Sequence, residues 1–214
     1  MKHIANKYKT FWTEKNFLWD LIIAIVLFFI GLLTTYYANS YTLIHASNSV
    51  TDIFLDNLPI INVDFIYSTG AAIFIGIVIV IALYAPKRIS FILKSSALFL
   101  IIRSLFMVLT HLAPPVGALY LDGTDFLHKL SSGDDLFFSA HTGFPFLMSL
   151  IFWHDKKFKY LFLACTFAGA TAVLLGHLHY SIDVFSAFFI TFGIFEISKK
   201  VFHKEYHHLV STTT

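Results

Sequence analysis

Residues 65–85 read FIYSTGAAIFIGIVIVIALYA, a run of 21 positions with no Lys, Arg, Asp, Glu or His. Coiled as an α-helix, such a run extends about 30 Å, the thickness of a bilayer's hydrocarbon core. The rest of the chain agrees with it. Of the 214 residues, 57% are hydrophobic and only 13% are charged, whereas soluble domains carry about 25% charged residues. A water-soluble chain of this make-up would expose extended apolar patches. The reading is therefore an all-α integral membrane bundle.

Working outward from 65–85, five more stretches have the length and hydropathy of a span: 17–38 around LIIAIVLFFIGLL, 89–111 with Arg103 in its middle, 137–154 (FFSAHTGFPFLMSLIFWH), 158–176 and 180–198. This predicts a six-transmembrane-helix bundle in one membrane domain, 17–200, between an N-terminal segment (1–16) and a tail (201–214). The flank TTYYANS lacks a small-x-small cleavage site, so the first span is expected to remain as an anchor. Cys165 is the single cysteine, which excludes an internal disulfide. No repeat or heptad run appears.

The charges sort by side. Lys2, Lys7, Lys9, Lys15, Lys87, Arg88, Lys156, Lys157, Lys159, Lys199, Lys200 and Lys204 fall on one side of a six-span layout, with Lys94 just inside the same face. The opposite loops hold Lys129 alone, against Asp52, Asp56, Asp64, Asp122, Asp125, Asp134 and Asp135. Positively charged loops stay cytoplasmic, so both termini are expected inside and the acidic loops outside. The brevity of the chain suits a bacterial inner-membrane protein. Nothing in it marks a nucleic-acid partner, and its oligomeric state is not legible.

The unusual polar residues gather toward the outer side. His141 lies at the start of the fourth span, and LLGHLHYSIDV (174–184) sets His177, His179 and Asp183 at the start of the sixth. Residues four apart share a helical face, so Asp183 is placed to hydrogen-bond one nitrogen of His179 and strengthen the other as a nucleophile or base. Ionisable groups at membrane depth are costly and point to function. By contrast His3, His203, His207 and His208 read as solvated, and His45, His128 and His154 as loop or interface residues.

Two blocks carry a resemblance. SGDDLFFSAHT (132–142) and GHLHYSIDV (176–184) resemble signature motifs of the type 2 phosphatidic acid phosphatase superfamily, and more closely its sphingomyelin synthase-like branch, with its Cys-Gly-Asp, Ser-Gly-His-Thr and His-Asp-His-Tyr-Thr-x-Asp-Val patterns. IRSLFMVLTHLAPPVG (102–117) is similar to that branch's Arg-containing third span. The resemblance implies a membrane enzyme that transfers a phospho-head group from a phospholipid donor to a lipid alcohol acceptor, ceramide or diacylglycerol. It implies no cofactor and no metal. His179 would attack phosphorus, Asp183 would orient it, and His141 would protonate the leaving alkoxide and then activate the incoming hydroxyl. Arg103, Asp134, His177 and Ser139 would serve the substrate, although Arg103 reads equally well as half of a structural ion pair with an outer aspartate.

Three departures stand out. Ala172 and Val173 occupy the positions of the phosphatase branch's Ser-Arg pair, Ala140 replaces the glycine before the motif histidine, and Ser132 replaces cysteine. The first favours transfer over hydrolysis. Other readings stay open: a lipid phosphate phosphatase or phospholipase C-type hydrolase, a zinc hydrolase using His141, His177, His179 and Asp183, or a non-enzymatic lipid-binding or transport protein.

Overall fold

The computed structural model describes residues 15–84, 86–119 and 137–210, and among these every regular element is helical. Helix α1 spans Lys15–His45, and α2 spans Ala71–Tyr84, entered through a π-helical turn at Phe65–Gly70. Next come α3 (Pro86–Leu109), α4 (Ala140–Ile151), α5 (Lys156–Leu175), α6 (Ser181–Val201) and α7 (His203–Val210). Five are long and apolar enough to cross a membrane: Phe17–His45, Phe65–Tyr84, Pro86–Leu109, Lys156–Leu175 and Ser181–Val201. Several long apolar helices make this a multi-pass membrane protein.

The expected fourth span is shorter than 137–154. Helix α4 has 12 residues, about 18 Å at 1.5 Å per residue, too short to cross alone. Ser139 caps its start, accepting from the Thr142 N–H, and it ends at Ile151 before the cap Asp155 starts α5 by accepting from the Lys157 and Phe158 N–H groups. The first span runs longer than 17–38. Along its polar end the hydroxyls are satisfied within the helix, Ser40 donating to the Tyr36 carbonyl and Thr42 to that of Asn39.

Small residues let α1 lie close along α3. A Cβ added at Gly31 would sit 3.1 Å from the Leu100 Cβ and 3.2 Å from the Ala97 carbonyl. One turn on, the Thr35 and Ser104 hydroxyls are 3.2 Å apart. Close backbone approach of this kind holds helices together where lipid removes the hydrophobic drive. The other face of α1 exposes Ile22, Ile25, Phe29 and Leu33. The main core lies between α3, α4, α5 and α6, with Phe91, Phe99, Phe138, Leu147, Met148 and Phe162 almost completely buried.

The bundle has two distinct ends. At one, the Arg88 guanidinium lies 5.2 Å over the Phe152 ring, and α7 folds back on α3 through the buried Lys94–Glu205 ion pair. At the other, backbone hydrogen bonds join Ser47 to His111, Ile61 to Leu175, Leu119 to Gly176 and Ser139 to Asp183. These ladders gather the loop 46–64, the start of α4 and the entry to α6 in one place.

Candidate active site

At the ladder end, Tyr180 caps α6 and its N–H donates to Asp183 Oδ2 at 2.9 Å. That contact holds the carboxylate back over the turn preceding its own helix, where it meets His179: Nδ1 and Oδ2 are 3.5 Å apart. Both residues are buried, at 1% and 0% exposure. His179 lies just outside the helix, so the four-residue spacing works through the cap rather than through a shared helical face. Asp183 Oδ1 is buried with no hydrogen-bond partner among the described residues.

His141 enters from α4. Its ring stacks on Tyr67 at 4.0 Å between centroids and 23° between planes. Its Nε2 lies 3.2 Å from the Tyr67 carbonyl, so the neutral ring donates its Nε2 proton there and carries an acceptor at Nδ1. The helix is shaped around this residue. Pro145 stands four positions on and has no N–H to give the His141 carbonyl. Gly169 of α5 packs against that same carbonyl, and any Cβ at Gly169 would collide with its oxygen.

Arg103 and His179 are both within electrostatic reach of His141. Arg103 is 3% exposed on α3, and its Nε donates 2.8 Å to the Phe138 carbonyl, immediately before the start of α4. Its guanidinium also contacts Met107 Sδ at 3.1 Å. Ser139, fully buried, uses its hydroxyl as the α4 cap and meets the Thr142 hydroxyl at 3.2 Å. The structure thus brings His141, His179, Asp183, Arg103 and Ser139 to one end of the bundle.

His177 is set apart from them. It takes a left-handed backbone, φ 52°, and its Nε2 faces the Leu58 carbonyl at 3.3 Å. It lines a separate cavity together with Asp52 and Asp56. Asp134 lies outside the described residues. Among the described residues, no group of three His, Cys, Asp or Glu side chains converges to hold a metal ion.

Two residues to which the sequence reading gave no role in the site matter here. Asp52 reads as one more solvated outer acid, yet it is buried and accepts from the Ser181 N–H at 2.7 Å and from the Phe54 and Leu55 N–H groups. Burial alone would raise its pKa, but the Ser181, Leu55 and Phe54 hydrogen bonds outweigh it and keep the carboxyl below its ordinary value. Its place before a short helical turn, Thr51-Asp52-Ile53-Phe54, is the local signal for such capping. Tyr67 has no sequence signal, because only tertiary packing brings it to His141.

Comparison with curated proteins and with solved structures finds no match. Residues 133–200 do match a family model, described as PAP2 superfamily C-terminal, and this stretch contains His141, His177, His179 and Asp183. The match supports a place in the PAP2 superfamily and, with it, lipid-phosphate chemistry of the phosphatase or phosphotransferase kind.

Proposed function

We propose that this protein is a membrane enzyme moving a phospho-head group from a phospholipid to a lipid alcohol, ceramide or diacylglycerol, through a histidine nucleophile. The observation that carries the reading is the buried His179–Asp183 contact at 3.5 Å, with His141 in electrostatic reach, inside the family-matched stretch. Asp183 accepts the Nδ1 proton of His179, leaving Nε2 as the attacking atom. Attack forms an N–P bond and breaks the P–O bond to diacylglycerol, whose alkoxide takes the Nδ1 proton of a His141 that enters this step as the doubly protonated imidazolium, its Nε2 proton staying on the Tyr67 carbonyl. The neutral His141 then accepts the proton of the incoming hydroxyl, whose oxygen forms the new P–O bond as the N–P bond breaks. His141 Nδ1 is the proton-transferring atom, because Nε2 is committed to the Tyr67 carbonyl.

Arg103 supplies a positive charge to the phosphoryl oxygens. Ser139 contributes by capping the helix that carries His141, and Asp134 is assigned to the acceptor side. The catalytic end belongs at the outer leaflet, by the lysine distribution. Apolar flanks such as FLDNLPIINV (54–63) and LAPPVGALYL (112–121) favour an alcohol over water at the phosphorylated histidine.

The test is a transfer assay on purified protein in lipid nanodiscs, with phospholipid donors and labelled ceramide and diacylglycerol. Head group appearing on either alcohol, with slow hydrolysis when acceptor is withheld, is the expected result. Release of free phosphate from phosphatidic acid and similar monoesters alone would replace transfer with phosphatase action. Activity is also expected to survive strong chelation; loss restored by zinc would move the assignment to a metal hydrolase.

A further inference from the structure

A cavity of about 310 Å³ opens at the ladder end, lined among others by Ser49, Thr51, Asp52, Asp56, Pro115 and His177. Among the described residues its lining holds two carboxylates and no lysine or arginine. Asp52 is anionic, with its carboxyl held below the ordinary pKa by the N–H groups it accepts, against the opposing effect of burial. Asp56 is exposed at the rim. His177 is 6% exposed. Its Nε2 proton goes to the Leu58 carbonyl, so Nδ1 presents a lone pair, and that buried atom has no hydrogen-bond partner among the described residues. An unsatisfied buried acceptor beside negative charge calls for a cationic donor.

The cavity adjoins the candidate active site. His177 and His179 are two residues apart, so their Cα atoms are separated by at most about 7 Å. Asp52 also bonds to Ser181, the residue that opens α6. The cavity and His179 therefore share one end of the bundle, joined through the turn 177–181.

We infer that the cavity receives the primary ammonium of an ethanolamine-type head group, a specificity that rests on the head-group transfer reading above. A quaternary ammonium has no N–H to give His177 Nδ1, and its usual recognition uses aromatic faces, of which the described residues of this lining supply none. A primary ammonium carries three donors, suited to the imidazole nitrogen and to the Asp56 carboxylate. A neutral glycerol head group brings no charge to offset the two aspartates. An added carboxylate, as on a serine head group, meets repulsion from them.

Binding of soluble phosphoethanolamine, phosphocholine and glycerol 3-phosphate to the full chain in nanodiscs tests this without requiring turnover. Phosphoethanolamine is expected to bind about tenfold or more tightly than the other two, the size of one charge-assisted hydrogen bond. Asp56→Lys, at an exposed position, should erase that preference. So should His177→Asn, since asparagine accepts a left-handed backbone. Equal affinities in the wild type, or a preference that survives both substitutions, would overturn the assignment. Transfer activity without the preference sinks the cavity assignment alone. The preference without any transfer or hydrolysis of phosphatidylethanolamine sinks the catalytic reading and leaves the cavity standing.

Discussion

At the scale of single residues, the site depends on which atom of each imidazole is occupied. His179 is oriented by Asp183, and Asp183 is in turn fixed by the Tyr180 N–H. His179→Ala is expected to abolish the covalent intermediate and lower transfer by a factor on the order of a thousand or more. Asp183→Asn keeps an oxygen for Tyr180 but loosens the hold on Nδ1, and should cost roughly 10²–10⁴-fold while leaving measurable rate. His141→Ala removes the proton for the leaving oxygen, so a nitrophenyl phosphoester, whose leaving group needs none, should recover part of the rate. Gly169→Ala touches no reacting group, yet its methyl meets the His141 carbonyl. It should destabilise the fold by about 1–3 kcal/mol and lower activity by displacing the first turn of α4, read as a lower melting temperature together with a lower kcat. The sequence made His141, His179 and Asp183 legible as candidates because chemistry-bearing residues are conspicuous in an apolar chain, and the fold brings the three to one end of the bundle. The spacing also reads His177 as pointing away from its neighbour, offset by six from Asp183, but the left-handed backbone it adopts there has no sequence signal.

At the scale of elements, most of the spans could be read from hydropathy alone, since a long charge-free run has few alternatives in lipid. The exception is α4, where apolar residues continue past the helix on both sides and only the Ser139 and Asp155 caps set its limits. The docking of α7 was equally hidden: HKEYHHLV (203–210) reads as a polar tail, with its three histidines exposed as expected. The structure nevertheless buries Leu209 and pairs Glu205 with Lys94. Removing one member of a buried pair leaves an uncompensated charge, so Glu205→Gln should cost about 3–5 kcal/mol, more than the joint Lys94→Met, Glu205→Leu replacement. Thermal unfolding in detergent compares the two. Burial would raise the Glu205 pKa, but the Lys94 hydrogen bond outweighs it and the folded-state pKa is lowered. The contribution to stability is therefore full above the unfolded glutamate pKa, about 4.3. It is lost as pH falls below that value and through the lower folded-state pKa, and Glu205→Gln should flatten that acid limb.

At the scale of the whole molecule, the lysine distribution and the two-ended bundle support one topology. The ends that gather Arg88, Phe152 and α7 carry the basic loops, while the ladder end carries Asp52 and Asp56. Cysteines introduced singly at positions 50 and 157, in a Cys165→Ser background, should label from outside intact cells at 50 and not at 157; the reverse pattern would invert the topology. What the sequence withheld at this scale is the meeting of loop 46–64 with the entry to α6, because no local pattern reports a contact between residues 129 apart, as in the Asp52–Ser181 hydrogen bond. That meeting surrounds the histidine on which the chemistry depends. The most direct test is to mix the enzyme with a phospholipid labelled in its head group, withhold the alcohol acceptor, quench in alkali and map the label by mass spectrometry. The predicted result is label on the peptide containing His179, discharged when diacylglycerol or ceramide is added and absent from the His179→Ala protein. Transfer by His179→Ala at the wild-type rate would contradict it.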